Sequence, residues 1–185
     1  MTGRRGGTAY SVRRFKSLAV ALKELEPFIR SGQHLQSGNP FTQLAGMRSR
    51  EALANWLICV VVDFAHGSER MSFTSDPTGG DGVIYDSSTQ NTWKTEHVMV
   101  RRPLAAEESA NPTAVETQIL QAVAQKQAKG GAAYASGKVL VVFSDSDGGE
   151  WYPNKAARDL PKPLLFDEVW VVGLHGPVDR AQGLA

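Results

Sequence analysis

The sequence has little of what marks several classes of protein. It contains one cysteine, Cys59, which excludes an internal disulfide or a cysteine-rich zinc site. Its longest apolar run, residues 56–62, is far too short to cross a bilayer. No charged start followed by an apolar core and a small-residue cleavage site opens the chain, so we expect no secretory signal. These absences predict a cytoplasmic protein that does not enter a membrane.

A strong excess of one charge sign is also missing, because the net charge is only +1. The overall charge therefore does not indicate a nucleic-acid-binding protein. Residues 1–16, however, carry basic side chains and no acidic one. These basic residues are Arg4, Arg5, Arg13, Arg14 and Lys16. We expect a flexible basic arm that either follows a phosphate backbone or is simply a solvated terminus.

What the chain does contain is ordinary for a globular protein. Of its 185 residues, 42% are hydrophobic and 21% are charged. This length fits one domain with a proper core. We predict a single domain over residues 17–176 and a loosely ordered tail over 177–185.

Helical periodicity recurs in three segments. The first helix is predicted over 17–30 and the second over 50–66, with Ser49 as its cap and Gly67 at its end. The second helix is apolar around most of its circumference, which predicts burial of side chains such as Val61 and Phe64. A third helix is predicted over 113–129, where Gly130 and Gly131 stop it.

Between and after the helices the hydrophobic period changes to that of strands. The predicted strands are 71–74, 81–86, 93–100, 138–143 and 168–174, with a polar turn over 87–91 and a short helix within 150–160. Three strands in succession, then a helix and further strands, indicate an α/β protein with a mixed sheet between layers of helices.

The hairpin over residues 81–100 carries the most informative side chains. Asp81 opens its first strand and Glu96 lies in its second, at a spacing that sets them near each other. Close carboxylates repel, so a fold usually keeps them for a cation, a proton or a basic partner. Lys94 lies two residues before Glu96 and therefore on the same strand face. Two acids and an amine are typical of a metal-dependent phosphodiesterase, or of a surface ion-pair cluster.

In the order of its elements and in these two acids, the chain resembles the PD-(D/E)XK nuclease superfamily over about residues 48–174. The resemblance implies a restriction-endonuclease-like core of three layers in a single domain, with a mixed central sheet flanked by helices. It also implies a Mg²⁺ or Mn²⁺ ion held by Asp81, Glu96 and the backbone carbonyl of His97.

The chain departs from the superfamily at the lysine of its Glu-x-Lys triplet. Val98 stands two residues after Glu96 and carries no amine. Two replacements are available: Lys94 on the same strand, and Lys126 on the third helix, at helical spacing from apolar residues. Accessory contacts to the ion or its waters would come from Glu51, Glu116 and Gln118. Glu51 has a second interpretation, as a carboxylate favourably placed at a helix N-terminus.

The resemblance predicts metal-dependent hydrolysis of DNA, with DNA as the partner and a homodimer as one option for assembly. A second hypothesis is an inactive member of the same fold that binds DNA or a protein, and Val98 favours it. A third is a small-ligand-binding α/β domain that uses Asp145, at the end of a predicted strand.

Overall fold

A computed structural model of the chain describes residues 17–30, 40–41, 46–100, 115–144 and 152–173. The helices and strands follow one another as α1 (Leu18–Arg30), β1 (Pro40–Phe41), β2 (Met47–Arg48), α2 (Ser49–His66), β3 (Met71–Thr74), β4 (Gly82–Asp86), β5 (Asn91–Val100), α3 (Val115–Ala135), β6 (Lys138–Ser144), α4 (Pro153–Arg158) and β7 (Glu168–Gly173).

The main sheet has five strands in the order β3-β4-β5-β6-β7, which is also their order along the chain. Strand β4 runs antiparallel to β3 and to β5, whereas β6 and β7 are parallel. The short strands β1 and β2 form a separate antiparallel pair. The prediction of an α/β protein with a mixed sheet flanked by helices is therefore confirmed. The extent of the domain, over 17–176, stays a prediction.

Contacts divide the chain into two compact units, Met1–Glu96 and His97–Ala185. In the first unit, α2 packs against α1 and against strands β3 and β4. Its largest fully buried side chains include Leu25, Leu53 and Phe73. This apolar contact anchors the helix to the hairpin that carries the acidic residues.

The second unit is built around β6, a continuous apolar strand that is buried along most of its length. Helix α3 packs against β6 and against α4. The core of this unit includes Ile119, Val123, Leu140 and Phe166. Lys126 follows Val123 by three residues and therefore lies on the same side of α3 as Ile119 and Val123.

The prediction that Ser49 caps α2 is wrong. The helix begins at Ser49, and Arg48 occupies the capping position with an extended backbone at φ −72° and ψ 148°. Glu51 reaches back to this end of the helix, where its Oε2 accepts a hydrogen bond of 2.9 Å from the backbone N–H of Arg48. A carboxylate three residues into the helix thus satisfies the backbone N–H of the capping residue, which is the role of the glutamate in a capping box.

The predicted deep burial of α2 is wrong for its outer face. Phe64 is 88% exposed and Val61 is 53% exposed, whereas Leu53, Ile58 and Cys59 are buried. A helix that is apolar on every side gives no periodic signal for which face packs inward.

Glycines end or interrupt the helices near the expected places. Gly67 follows α2 in the left-handed conformation, at φ 62°. Gly131 interrupts α3 with a non-helical backbone, φ 60° and ψ −157°, but a further helical segment continues to Ala135. The predicted stop at Gly130 and Gly131 is therefore a break within a longer helix.

Candidate functional site

The hairpin register sets the two predicted acids at the same level. Gly82 is the Cα partner of Thr95, the pair that ends the ladder between β4 and β5. Continuing this antiparallel register by one residue sets Asp81 opposite Glu96. Glu96 is only 5% exposed, while Asp81 is half-buried in the bend that enters β4. Both acids belong to the Met1–Glu96 unit.

Glu51 adds a third carboxylate to this region. It lies in the first turn of α2 and is only 6% exposed. Burial raises the pKa of the Glu51 carboxyl above its ordinary value, the backbone N–H of Arg48 opposes this, and the negative charge of Asp81 raises it further. The influence of Asp81 means that the two carboxylates are close enough to repel. Glu51 therefore faces the acidic end of the hairpin while it also serves the helix N-terminus.

Replacing Glu51 by glutamine is expected to stabilise the cation-free protein at pH 7 by about 1 kcal/mol. Because the folded-state pKa of Glu51 is raised, its contribution to stability is present below the ordinary value of 4.5 and is lost as pH rises through the folded-state value. Glutamine keeps the acceptor for Arg48 and removes the charge. Urea unfolding in a chelator at pH 4 and pH 7 measures the effect. A Glu51→Gln protein that is less stable than wild type at pH 7 would contradict it.

The oxygen atoms around Asp81 at the start of β4, which we call the acidic corner, are of the kind that bind a hard cation. The carboxylates alone do not surround a cation. Within the described ranges, no three His, Cys, Asp or Glu side chains converge closely enough to hold a metal ion. The fully buried Thr95 hydroxyl and Asn55 amide group lie beside Gly82, and the amide nitrogen of Asn55 is the atom nearest this glycine. Carboxylate and amide oxygens are what Mg²⁺ and Mn²⁺ prefer, and Mg²⁺ usually keeps several of its waters.

Lys94 is directed towards the loop that precedes Asp81. Its ammonium donates to the Thr78 hydroxyl at 3.0 Å and lies 3.8 Å from the Asp76 carboxylate. The same Asp76 carboxylate accepts from the backbone N–H of Thr78 at 2.8 Å. These contacts engage Lys94 in fixing the loop.

Lys126 lies in the second unit, at the backbone of the residue that follows Glu96. Its ammonium donates to the carbonyl oxygen of His97 at 2.8 Å. The ammonium also lies 5.8 Å from the centre of the Tyr134 ring. The carbonyl expected to bind the metal thus accepts from a cation, and a metal ion at that oxygen would require the ammonium to move.

The remaining accessory candidates have different positions. Glu116 is 5% exposed, and its Oε1 accepts a hydrogen bond of 3.0 Å from the backbone N–H of Tyr152, just before α4. Gln118 is half-buried two residues further along α3. Glu116 therefore links α3 to the residue that precedes α4, and this hydrogen bond stabilises the second unit.

Several predicted residues lie outside the described ranges. They are Arg4, Arg5, Arg13 and Arg14 of the basic arm, and Asp145 of the third hypothesis. Among the helices that the structure describes, none has the length and apolar character needed to cross a membrane.

Asn55 and Thr95 were not among the candidates from the sequence. Asn55 follows Glu51 by four residues on the same helix, and Thr95 immediately precedes Glu96. The spacing of Asn55 from Glu51 was the available signal, because residues four apart share a helix face. Comparisons with protein-family models, with curated proteins and with solved structures found no match to this chain.

Proposed function

We propose that this protein is a metal-dependent nuclease of the PD-(D/E)XK type that hydrolyses phosphodiester bonds in DNA. One observation carries the proposal: Asp81 and Glu96 immediately flank Gly82 and Thr95, the last paired positions of the β4–β5 ladder, within the order helix, three strands, helix, strand. Glu51 on α2 supports the proposal, because the negative charge of Asp81 raises the pKa of the Glu51 carboxyl. The finer fold that goes with this function is a three-layer restriction-endonuclease-like core.

In this proposal Asp81 and Glu96 bind the ion through carboxylate oxygens, and Glu51 contacts it or one of its waters. A Mg²⁺ or Mn²⁺ ion held there would supply Lewis-acid polarisation of the scissile phosphate and a water of lowered pKa. Hydrolysis would add water at phosphorus, break one P–O ester bond and leave a phosphate end and a hydroxyl end. The carboxylates fix where the attack occurs, and their negative charge is the reason that a cation binds there.

For the amine of the site we propose Lys126. Its ammonium already lies at the backbone of the residue after Glu96, and a flexible four-carbon stem lets it turn towards a phosphate. It would hold the attacking water and offset charge that develops on the phosphate. Lys94 is the second candidate, and its ammonium contacts the Thr78 hydroxyl and lies near the Asp76 carboxylate in the loop before Asp81.

The test is a cleavage assay with purified protein and Mg²⁺ or Mn²⁺ on duplex, single-stranded and branched DNA. Wild type should cleave at least one substrate, and Asp81→Ala and Glu96→Ala should each lower the rate at least about a hundredfold. Cleavage that persists in both variants would remove the assignment. Glu69→Ala, a change of an exposed acid on the same unit, is the matched control and should leave the rate unchanged.

A second candidate is an inactive protein of the same fold that binds DNA or a protein partner. Val98 at the lysine position favours it, as does the engagement of Lys126 with the His97 carbonyl. A wild-type protein that binds DNA but neither binds Mn²⁺ nor gains thermal stability from it would support this candidate. A cytoplasmic location and homodimer assembly stay predictions under either function.

A further inference from the structure

Asn55 is a buried carboxamide that the local fold leaves unsatisfied. It is 0% exposed, and neither atom of its amide group hydrogen-bonds to any residue that the structure describes. Thr95 is likewise 0% exposed, and its hydroxyl has no hydrogen-bond partner in the same ranges. Each such group costs about 1–3 kcal/mol relative to one that is paired, so native proteins contain few of them.

These unsatisfied groups meet at the backbone that follows Asp81. A Cβ atom built on Gly82 would lie 2.4 Å from Asn55 Nδ2 and 2.8 Å from Thr95 Oγ1. The amide and the hydroxyl therefore approach one point from α2 and from β5. Only glycine leaves room for them there, because any side chain at position 82 would displace them.

Helix α2 presents two functional groups to this corner of the first unit. Glu51 and Asn55 are four residues apart and share a face. Glu51 acts electrostatically on Asp81, and Asn55 touches Gly82, the next residue. The unsatisfied amide of Asn55 therefore lies next to the Glu51 and Asp81 carboxylates. A cation bound between these two carboxylates would replace their mutual repulsion by attraction to the ion.

Packing alone gives no reason for an amide at position 55. Leucine has nearly the same length and branching and would fill the space without unsatisfied polar atoms. A buried amide without hydrogen-bond partners among the described residues, next to the acids proposed to bind a cation, is typical of a group retained for function.

We propose that Asn55 and Thr95 are positioning residues for Asp81, which complete their hydrogen bonds when a divalent cation binds. The inference rests on the proposed function. A divalent cation held by Asp81 would keep several of its waters at this end of the hairpin. Those waters would supply the hydrogen-bond partners that the Asn55 amide and the Thr95 hydroxyl lack among the described residues. Hydrogen bonds that form only in the bound state add to cation affinity.

The test measures the stability of the chelated protein and the affinity for Mn²⁺ in Asn55→Leu and Thr95→Val. In chelator, both variants should melt at or above the temperature of wild type, because each replaces an unsatisfied polar group. Both should bind Mn²⁺ about five- to tenfold more weakly, the equivalent of one lost hydrogen bond. Thr95→Ser keeps the hydroxyl and should retain the affinity of wild type.

The outcomes separate this inference from the proposed function. Wild type that binds no Mn²⁺ would overturn both. Wild type that binds Mn²⁺, together with unchanged affinity in Asn55→Leu and Thr95→Val, would overturn the positioning role alone. Variants that lose stability in chelator as well as affinity would show that the two residues only pack, which also overturns the inference. Valine is closer in shape to threonine than leucine is to asparagine. Thr95→Val therefore tests the positioning role by itself if Asn55→Leu does not fold.

Discussion

If the protein is the proposed nuclease, a Lys126→Met variant is expected to hydrolyse DNA about a hundred- to a thousandfold more slowly than wild type at saturating Mg²⁺. Methionine keeps an apolar stem of similar length and removes the ammonium. In wild type this ammonium lies 2.8 Å from the His97 carbonyl, next to the residue we assign to the cation. The reduction should appear in kcat, because the amine acts on charge that develops during the reaction.

The affinity for Mn²⁺ shows whether the Lys126→Met variant has lost only a catalytic amine or the whole cation site. The Lys126→Met protein should bind Mn²⁺ at least as tightly as wild type, because the change removes a nearby positive charge. Lys94→Met is the matched control, with a small effect on rate and a modest loss of stability from the Thr78 contact. The reverse ranking, with Lys94→Met inactive and Lys126→Met active, would assign the amine to Lys94.

An Asp86→Ala protein is expected to lose about 2–3 kcal/mol of stability at pH 7. Asp86 ends β4 and is 1% exposed. Its carboxylate accepts from the Ser88 backbone N–H at 2.8 Å and from the Ser88 hydroxyl at 2.6 Å. It also lies 3.3 Å from the Arg70 guanidinium. Alanine would leave the turn of the hairpin without these contacts.

The same residue predicts a dependence of stability on pH. Burial raises the pKa of Asp86, but hydrogen bonds from Ser88 and Thr89 and the charge of Arg70 outweigh it, so the pKa is lower than the ordinary 3.8. Its contribution is therefore present above the ordinary value and is lost as pH falls through the folded-state value. Urea unfolding of wild type and Asp86→Ala at pH 7 and pH 3 should show a smaller difference at pH 3. An equal difference at both values would contradict the role of the charge.

Those parts of the fold that depend on local signals could be predicted from the sequence. Alternating side chains identify β3, the polar turn fixes the hairpin of β4 and β5, and Gly67 marks the end of α2. Strands β1 and β2 could not be predicted because two residues carry no periodicity. The outer face of α2 could not be predicted either, because which of its apolar sides packs inward is decided by tertiary contacts.

The residues of the candidate site could likewise be predicted only in part from the sequence. Asp81 and Glu96 could be assigned to neighbouring positions because the length of a hairpin turn fixes the strand register. The choice between Lys94 and Lys126 could not be made from the sequence, because it depends on which residues each ammonium contacts in the folded protein. Asn55 offered only its spacing of four residues from Glu51, because the sequence does not show whether a buried amide has hydrogen-bond partners.

The central claim is that Asp81 and Glu96 bind a divalent cation, and calorimetric titration with Mn²⁺ tests it most directly. Wild type should bind the ion saturably at one site per chain. Asp81→Asn and Glu96→Gln keep the shape of each side chain and should abolish that binding while the proteins remain folded. Wild type that takes up no Mn²⁺, or equal binding by both variants, would contradict the claim.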